Sequence, residues 1–141
     1  MMTKDNGFLL CSRVYYFYER SLEENEYCAF FPFPVDDFKV YADFSYVASK
    51  QSFIVRMFLP DCVEEASKYT AKITISPHSS RNLVYRGPVL SIEDLPDVNS
   101  SQAYNKYWFI SKDVIIPFST AVINHPDLRK VEIKFDVLKN K

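Results

Sequence analysis

The chain has 141 residues with 17 Lys and Arg against 18 Asp and Glu, a formal net charge of −1, and its cations are scattered. No basic stripe exists to track a phosphate backbone, so nucleic acid is not an expected partner. Two Gly cannot build a phosphate-cradling loop or a dinucleotide fingerprint, and no apolar run of about 18 residues is present to span a membrane as a helix.

Residues 8–18 read as a first strand, followed by a charged turn at 20–25. Residues 27–33 read as a second, ended by Pro34 and the Asp36-Asp37 pair. In 38–46, Phe38, Val40, Ala42 and Phe44 alternate with Lys39, Tyr41 and Asp43, the period of a strand with one buried face. Residues 53–59 are apolar on both sides apart from Arg56, which predicts a central strand. Residues 61–67 suit one helical turn with Asp61 as its cap and Glu64 and Glu65 near its start.

Tyr69, Ala71, Ile73 and Ile75 then alternate with Thr70, Lys72 and Thr74. Ser76-Pro77-His78-Ser79-Ser80 has turn chemistry. Residues 83–92 are extended, with a stop at Gly87-Pro88. A polar loop at 93–102, a strand at 104–111 and a short helical turn at 111–118 follow. Last, Val131, Ile133, Phe135 and Val137 alternate with Glu132, Lys134 and Asp136. Eight strands, most prolines at strand ends and no long helix predict an all-β fold, an eight-stranded antiparallel β-sandwich. One domain over residues 1–141 can bury roughly two thirds of its unfolded surface without staples. Twelve Phe and ten Tyr supply its core.

Chemistry-bearing residues are sparse. Cys11, Cys28 and Cys62 are odd in number and far apart. They form no disulfide framework, and free thiols fit a reducing compartment, hence a cytoplasmic location with the nucleus open. The first residues do not form a secretory leader, because Arg13 follows a short apolar stretch. Cys62 and His78 lack an orienting third group. No Ser sits in a nucleophile elbow, and Glu64 and Glu65 point to opposite sides of a short turn. No catalytic residue, metal or cofactor is therefore expected. Asp36, Asp37, Glu93, Asp94 and Asp97 leave open a calcium-dependent membrane-binding sandwich, against solvated turns. His78, His125 and residues 128–130 read as solvated surface, and the Asn99-Ser100-Ser101 sequon as inert. The aromatic run Tyr27, Phe30, Phe31 and Phe33 is either packed core or an exposed groove wall.

The order of motifs resembles the substrate-binding domain of the seven-in-absentia family, a TRAF-like sandwich. The residues that carry the likeness are Ser52-Phe53-Ile54-Val55, Glu64-Glu65-Ala66-Ser67-Lys68-Tyr69, Leu83-Val84-Tyr85-Arg86-Gly87-Pro88-Val89 with Ser91-Ile92, Trp108-Phe109-Ile110, Ile116-Pro117-Phe118 and Val131-Glu132-Ile133. It covers roughly residues 38–137. The family's ligases carry a RING and zinc fingers, which three Cys and two His cannot build. The resemblance therefore implies a non-catalytic module, which binds extended degron-like peptides in ubiquitin-dependent, proteasomal degradation and dimerises with itself or a related domain. An alternative is the substrate-binding part of a RING ligase. The family's peptide lies along a sheet edge with a valine-x-proline core. By alignment Tyr27 stands at the family's groove tryptophan, with Ala29, Phe30 and Phe31 along the same groove. Protein or peptide partners are implied, with no membrane and no nucleic acid.

The last strand's pattern generates one prediction. Ile133→Asp buries an unpaired charge and is expected to abolish the cooperative unfolding transition, read by circular dichroism on heating.

Overall fold

Alternation of apolar and polar residues turns one side of each strand inward, and two sheets that share those sides make one core. The structure is a computed structural model that describes residues 2–5, 8–23, 27–35, 38–59, 66–76 and 82–140; for residues 2–5, 8–11, 21, 23, 27–31, 33–35, 38 and 94 it describes the backbone. Among these, eleven strands are present: β1 (Met2–Asp5), β2 (Phe8–Tyr18), β3 (Tyr27–Val35), β4 (Phe38–Val47), β5 (Ser52–Leu59), β6 (Tyr69–Ser76), β7 (Leu83–Pro88), β8 (Leu90–Ser91), β9 (Trp108–Ser111), β10 (Thr120–Val122) and β11 (His125–Lys139). Two short helices flank β9, α1 (Ala103–Lys106) and α2 (Lys112–Phe118).

The first sheet runs β1-β2-β11-β6-β7, with β10 also on β11; the second runs β3-β4-β5-β8, with β9 also on β5. The fold is thus an all-β sandwich. Every pairing is antiparallel except a two-residue parallel step, Phe58 with Leu90 and Leu59 with Ser91. β11 is central to the first sheet. It pairs with β2 from Leu128 to Val137 and with β6 from Glu132 to Lys139, and its inward Val131, Ile133, Phe135 and Val137 are all buried.

Rings join the layers. Phe44 of β4 and Phe53 of β5 stack at 4.7 Å with planes 10° apart. Tyr15 and Phe17 of β2 come down on them, at 4.9 Å to Phe44 and 5.2 Å to Phe53. Each such pair adds about 0.5–1.5 kcal/mol beyond its burial. A second bridge lies near the β7 edge, where Tyr85 stacks on Trp108 at 5.2 Å.

Sequence and structure agree closely for β2 to β6 and differ later. The extended stretch at 83–92 breaks at buried Val89 into β7 and β8. Residues 103–106 are helical, because this piece lies on a sheet and satisfies its own backbone: the Tyr107 N–H donates to the Ala103 carbonyl at 2.8 Å. The expected helical turn at 111–118 is α2, capped by the Ser111 Oγ, which accepts from the Asp113 N–H. β11 begins six residues before the alternation does, because β10 pairs with its start through a tight turn at Ile123 and Asn124. Asn124 has φ 66°, a conformation Asn tolerates.

Residues 128–130 are not simply a solvated end. Arg129 donates through Nη2 to the Ile116 and Ser119 carbonyls at 3.0 and 3.1 Å and through Nε to the Ser119 Oγ at 2.9 Å. It satisfies the C-terminal carbonyls of α2, a demand the sequence does not display. Lys130 is exposed. The expected turns around Asp61 and at Pro77 to Ser80 lie outside the described residues.

Gly87 pairs with Ala71, and the Tyr85 ring lies across it, so that a Cβ at position 87 would collide with the ring. This is the rescue of an edge glycine by an aromatic side chain. Gly87→Ala is expected to push Tyr85 off Trp108, lower stability by about 1–3 kcal/mol and shift the fluorescence of the single Trp.

Candidate functional site

Tyr27, Ala29, Phe30 and Phe31, the residues singled out for peptide recognition, all fall on β3. Their backbones pair in order with Tyr46, Phe44, Asp43 and Ala42 of β4. Their side chains lie outside what is described. β3 is an outer strand, and among the described residues no strand pairs with its other side.

Pro32 and Pro34 lie within this strand, opposite Tyr41 and Lys39. A proline has no N–H, so a sheet tolerates it where its nitrogen faces away from the ladder. Residues of equal parity in a strand direct their backbone groups to the same side. With Pro32 and Pro34 turned to the open side, Cys28 and Phe30 turn there too. The free edge then offers N–H groups at 28 and 30 and carbonyls at 28, 30, 32 and 34. The two prolines also limit how far a foreign strand can extend.

One strand in from this edge lies a polar network. Asp43, paired across the sheet with Phe30 on one side and Arg56 on the other, is buried. The Arg56 Nε donates to its Oδ2 at 2.7 Å and the Ser45 Oγ to its Oδ1 at 2.5 Å. The guanidinium lies 4.6 Å from the centroid of the Tyr107 ring, a cation–π contact. The Tyr107 Oη donates to the Pro96 carbonyl at 2.5 Å. Burial pushes the Tyr107 hydroxyl above its ordinary pKa, against the opposing charge of Arg56.

This network tacks the segment between β8 and β9 onto the outer face of the second sheet. Val47, Ile54, Leu90, Ala103 and Tyr107 are buried there, with Phe58, Leu95, Val98 and Phe109 packed on them. β5 is therefore covered on both faces, as its two-sided apolar sequence predicts. Arg56, the exception in that strand, is matched by Asp43 at the same register. The sequence shows both residues, in two neighbouring strands, but not their pairing.

Among the described residues, no group of three or more His, Cys, Asp or Glu converges so as to hold a metal ion. Cys62, His78, Glu64, Glu65, Asp36 and Asp37 lie outside them. Asp97 serves a turn: its Oδ1 accepts the Asn99 N–H at 2.8 Å and its carbonyl the Ser100 N–H at 2.9 Å. His125 is exposed at the start of β11. Among the described residues no helix is long and apolar enough to cross a membrane. No protein-family model and no curated protein matches the chain.

The buried pair generates a prediction. Removing one partner leaves an uncompensated charge, so Asp43→Ala is expected to cost about 3–5 kcal/mol, whereas Asp43→Leu with Arg56→Met should recover most of the loss. Urea titration of the three proteins reads both.

Proposed function

We propose that the chain is a non-catalytic protein-interaction module that takes an extended peptide of a substrate or adaptor as an added strand along β3, in ubiquitin-dependent protein degradation. The observation that carries the reading is the nine-residue length of β3 and its position outermost in the second sheet. Strand addition obtains affinity from main-chain hydrogen bonds and selectivity from alternate side chains. The first sheet's edges are less suited. β1 has four residues, and β7 carries Gly87-Pro88 with Tyr85 folded over the glycine. The sequence resemblance to the seven-in-absentia substrate-binding domain favours the same strand, with Tyr27, Ala29, Phe30 and Phe31 lining the peptide. It also favours a TRAF-like topology and pairing with a second such domain.

The backbone pattern adds a register. The peptide's hydrogen bonds go to residues 28 and 30, and Pro32 and Pro34 close the ladder at one end.

Fluorescence anisotropy with a labelled peptide bearing a valine-x-proline core tests the reading. Methylating the peptide's amides at alternate positions is expected to weaken binding about tenfold in one phase and little in the other, since about 1.4 kcal/mol corresponds to that factor. Tyr27→Ala should weaken binding comparably with an unchanged melting midpoint. A loss of about 3–5 kcal/mol in stability would instead put Tyr27 in the core. Failure of the peptide to bind the folded chain would remove the reading.

A further inference from the structure

Antiparallel sheets with one wet face normally put polar residues on it. On the first sheet β6 and β11 obey, with Lys72 on β6 and Glu132 and Lys134 on β11 pointing outward. β2 does not. Its outward Val14, Tyr16 and Tyr18 are 47%, 50% and 55% exposed, although its inward Tyr15 and Phe17 already supply the core. The strand is apolar on both sides, and only one side is covered among the described residues. The second sheet had the same problem on β5, and there residues 92–107 cover the face.

A hollow of about 240 Å³ opens beside Val14 and Tyr16. It arises from a gap along β11. β10 stops pairing at Thr120 with Lys130, and β6 starts at Ser76 with Glu132. Phe118, at the end of α2, adds an apolar wall. Ser76, Thr120, Lys130 and Glu132 complete the lining, so the hollow has one apolar wall, against which a large side chain can lie, and one polar wall.

Further along β11 the same face becomes basic. Lys72 pairs with both Arg86 and Asp136, so the three form a row across three strands, and Lys134 is the next outward residue on β11. Burial raises the pKa of the Asp136 carboxyl, while Lys72, Lys134 and Arg86 pull it the other way. One carboxylate thus faces three cations. Over the outward positions of β11, β6 and β7, the four cations Lys72, Arg86, Lys130 and Lys134 stand against Glu132 and Asp136. That is a surplus of two positive charges on a chain of net charge −1.

We infer that the outer face of the first sheet is a second docking surface, for an acidic segment of a partner protein that seats one large apolar side chain between Val14, Tyr16 and Phe118 and lays carboxylates over Lys72, Arg86 and Lys134. The row at Lys130 and Glu132 and the row at Asp136 are about 14–20 Å apart at about 3.4 Å per residue. The partner's acidic residues therefore stand about four to six positions from its apolar anchor. A second copy of this face is a poor occupant, because the same excess of positive charge would meet itself. The surface lies on the opposite sheet from β3 and does not depend on the strand-addition reading.

The probe is a fluorescein-labelled peptide with one Phe, a spacer of three Ser and four Glu, against a control with Gln for Glu, titrated with the 141-residue chain. The Glu peptide is expected to bind about tenfold more tightly than the control. Lys72→Glu with Arg86→Glu should erase that preference. Tyr16→Ser should weaken both peptides and keep the parent melting midpoint, because Tyr16 is half exposed, and circular dichroism checks that the double variant, which places two new carboxylates beside Asp136, is folded at the temperature of the titration. An unlabelled valine-x-proline peptide should not displace the probe. Equal binding of the two peptides, or a preference that survives in the double variant, would overturn the inference. So would displacement by the valine-x-proline peptide, or sedimentation showing a dimer that Tyr16→Ser converts to monomer.

Discussion

Phe44 and Phe53 lie face to face in the second sheet, and the first sheet rests on them through Tyr15 and Phe17. The remaining arrangement follows from this contact. Two twisted sheets need side chains large enough to fill the space of about 10 Å between them, and four rings fill its middle. Around them the β-branched residues of β6 and β11 pack without polar atoms to satisfy: Ile73, Ile75, Val131 and Ile133 are all buried. Part of the high aromatic content of the chain, 16%, thereby joins the layers. The Tyr85–Trp108 stack repeats the device at the β7 edge.

The sequence makes the strands legible wherever one face is wet. Val131 to Val137 shows this most clearly, with four buried residues separated by polar ones. It also marks β5 as a strand covered twice. What it hides is set by tertiary contact. β10 has three residues, and β1 is Met-Thr-Lys-Asp, too short and too polar to alternate visibly. The helical turn at 103–106 forms because the chain lies on the second sheet there, and nothing local in Ala-Tyr-Asn-Lys demands it. Arg129 reads as a solvated cation until the end of α2 is placed beside it. Of the candidate site, the strand was legible through its aromatic run, but the sequence ends it at Pro34, whereas β3 runs through that proline to Val35 at the open edge. Its outermost position follows only from the pairing of β4 with β5.

The two sheets treat their outer faces in opposite ways. The second covers its own with the segment between β8 and β9, held by the Asp43–Arg56–Tyr107 network, and keeps an open strand edge at β3. The first leaves the outward side of β2 uncovered among the described residues, with aromatic side chains at one end of the face and cations at the other. A backbone edge and a side-chain face recognise different things. The edge reads main-chain geometry and alternate side chains, while the face reads charge and shape.

β11 stands between β2 and β6, yet it follows every other strand in sequence. The first sheet therefore cannot assemble progressively as the chain leaves the ribosome. β2 must wait more than a hundred residues for its partner, Leu128 onward. Such distant closure slows folding. Meanwhile the unpaired flanks of β2 and β6 are open to wrong partners. The second sheet has no such delay, since β3, β4 and β5 pair in order. Synthesis thus offers a natural division of labour in time: an early meander ready to nucleate, and a later strand whose arrival completes the molecule. A nascent chain halted before Leu128 would display the first without the second.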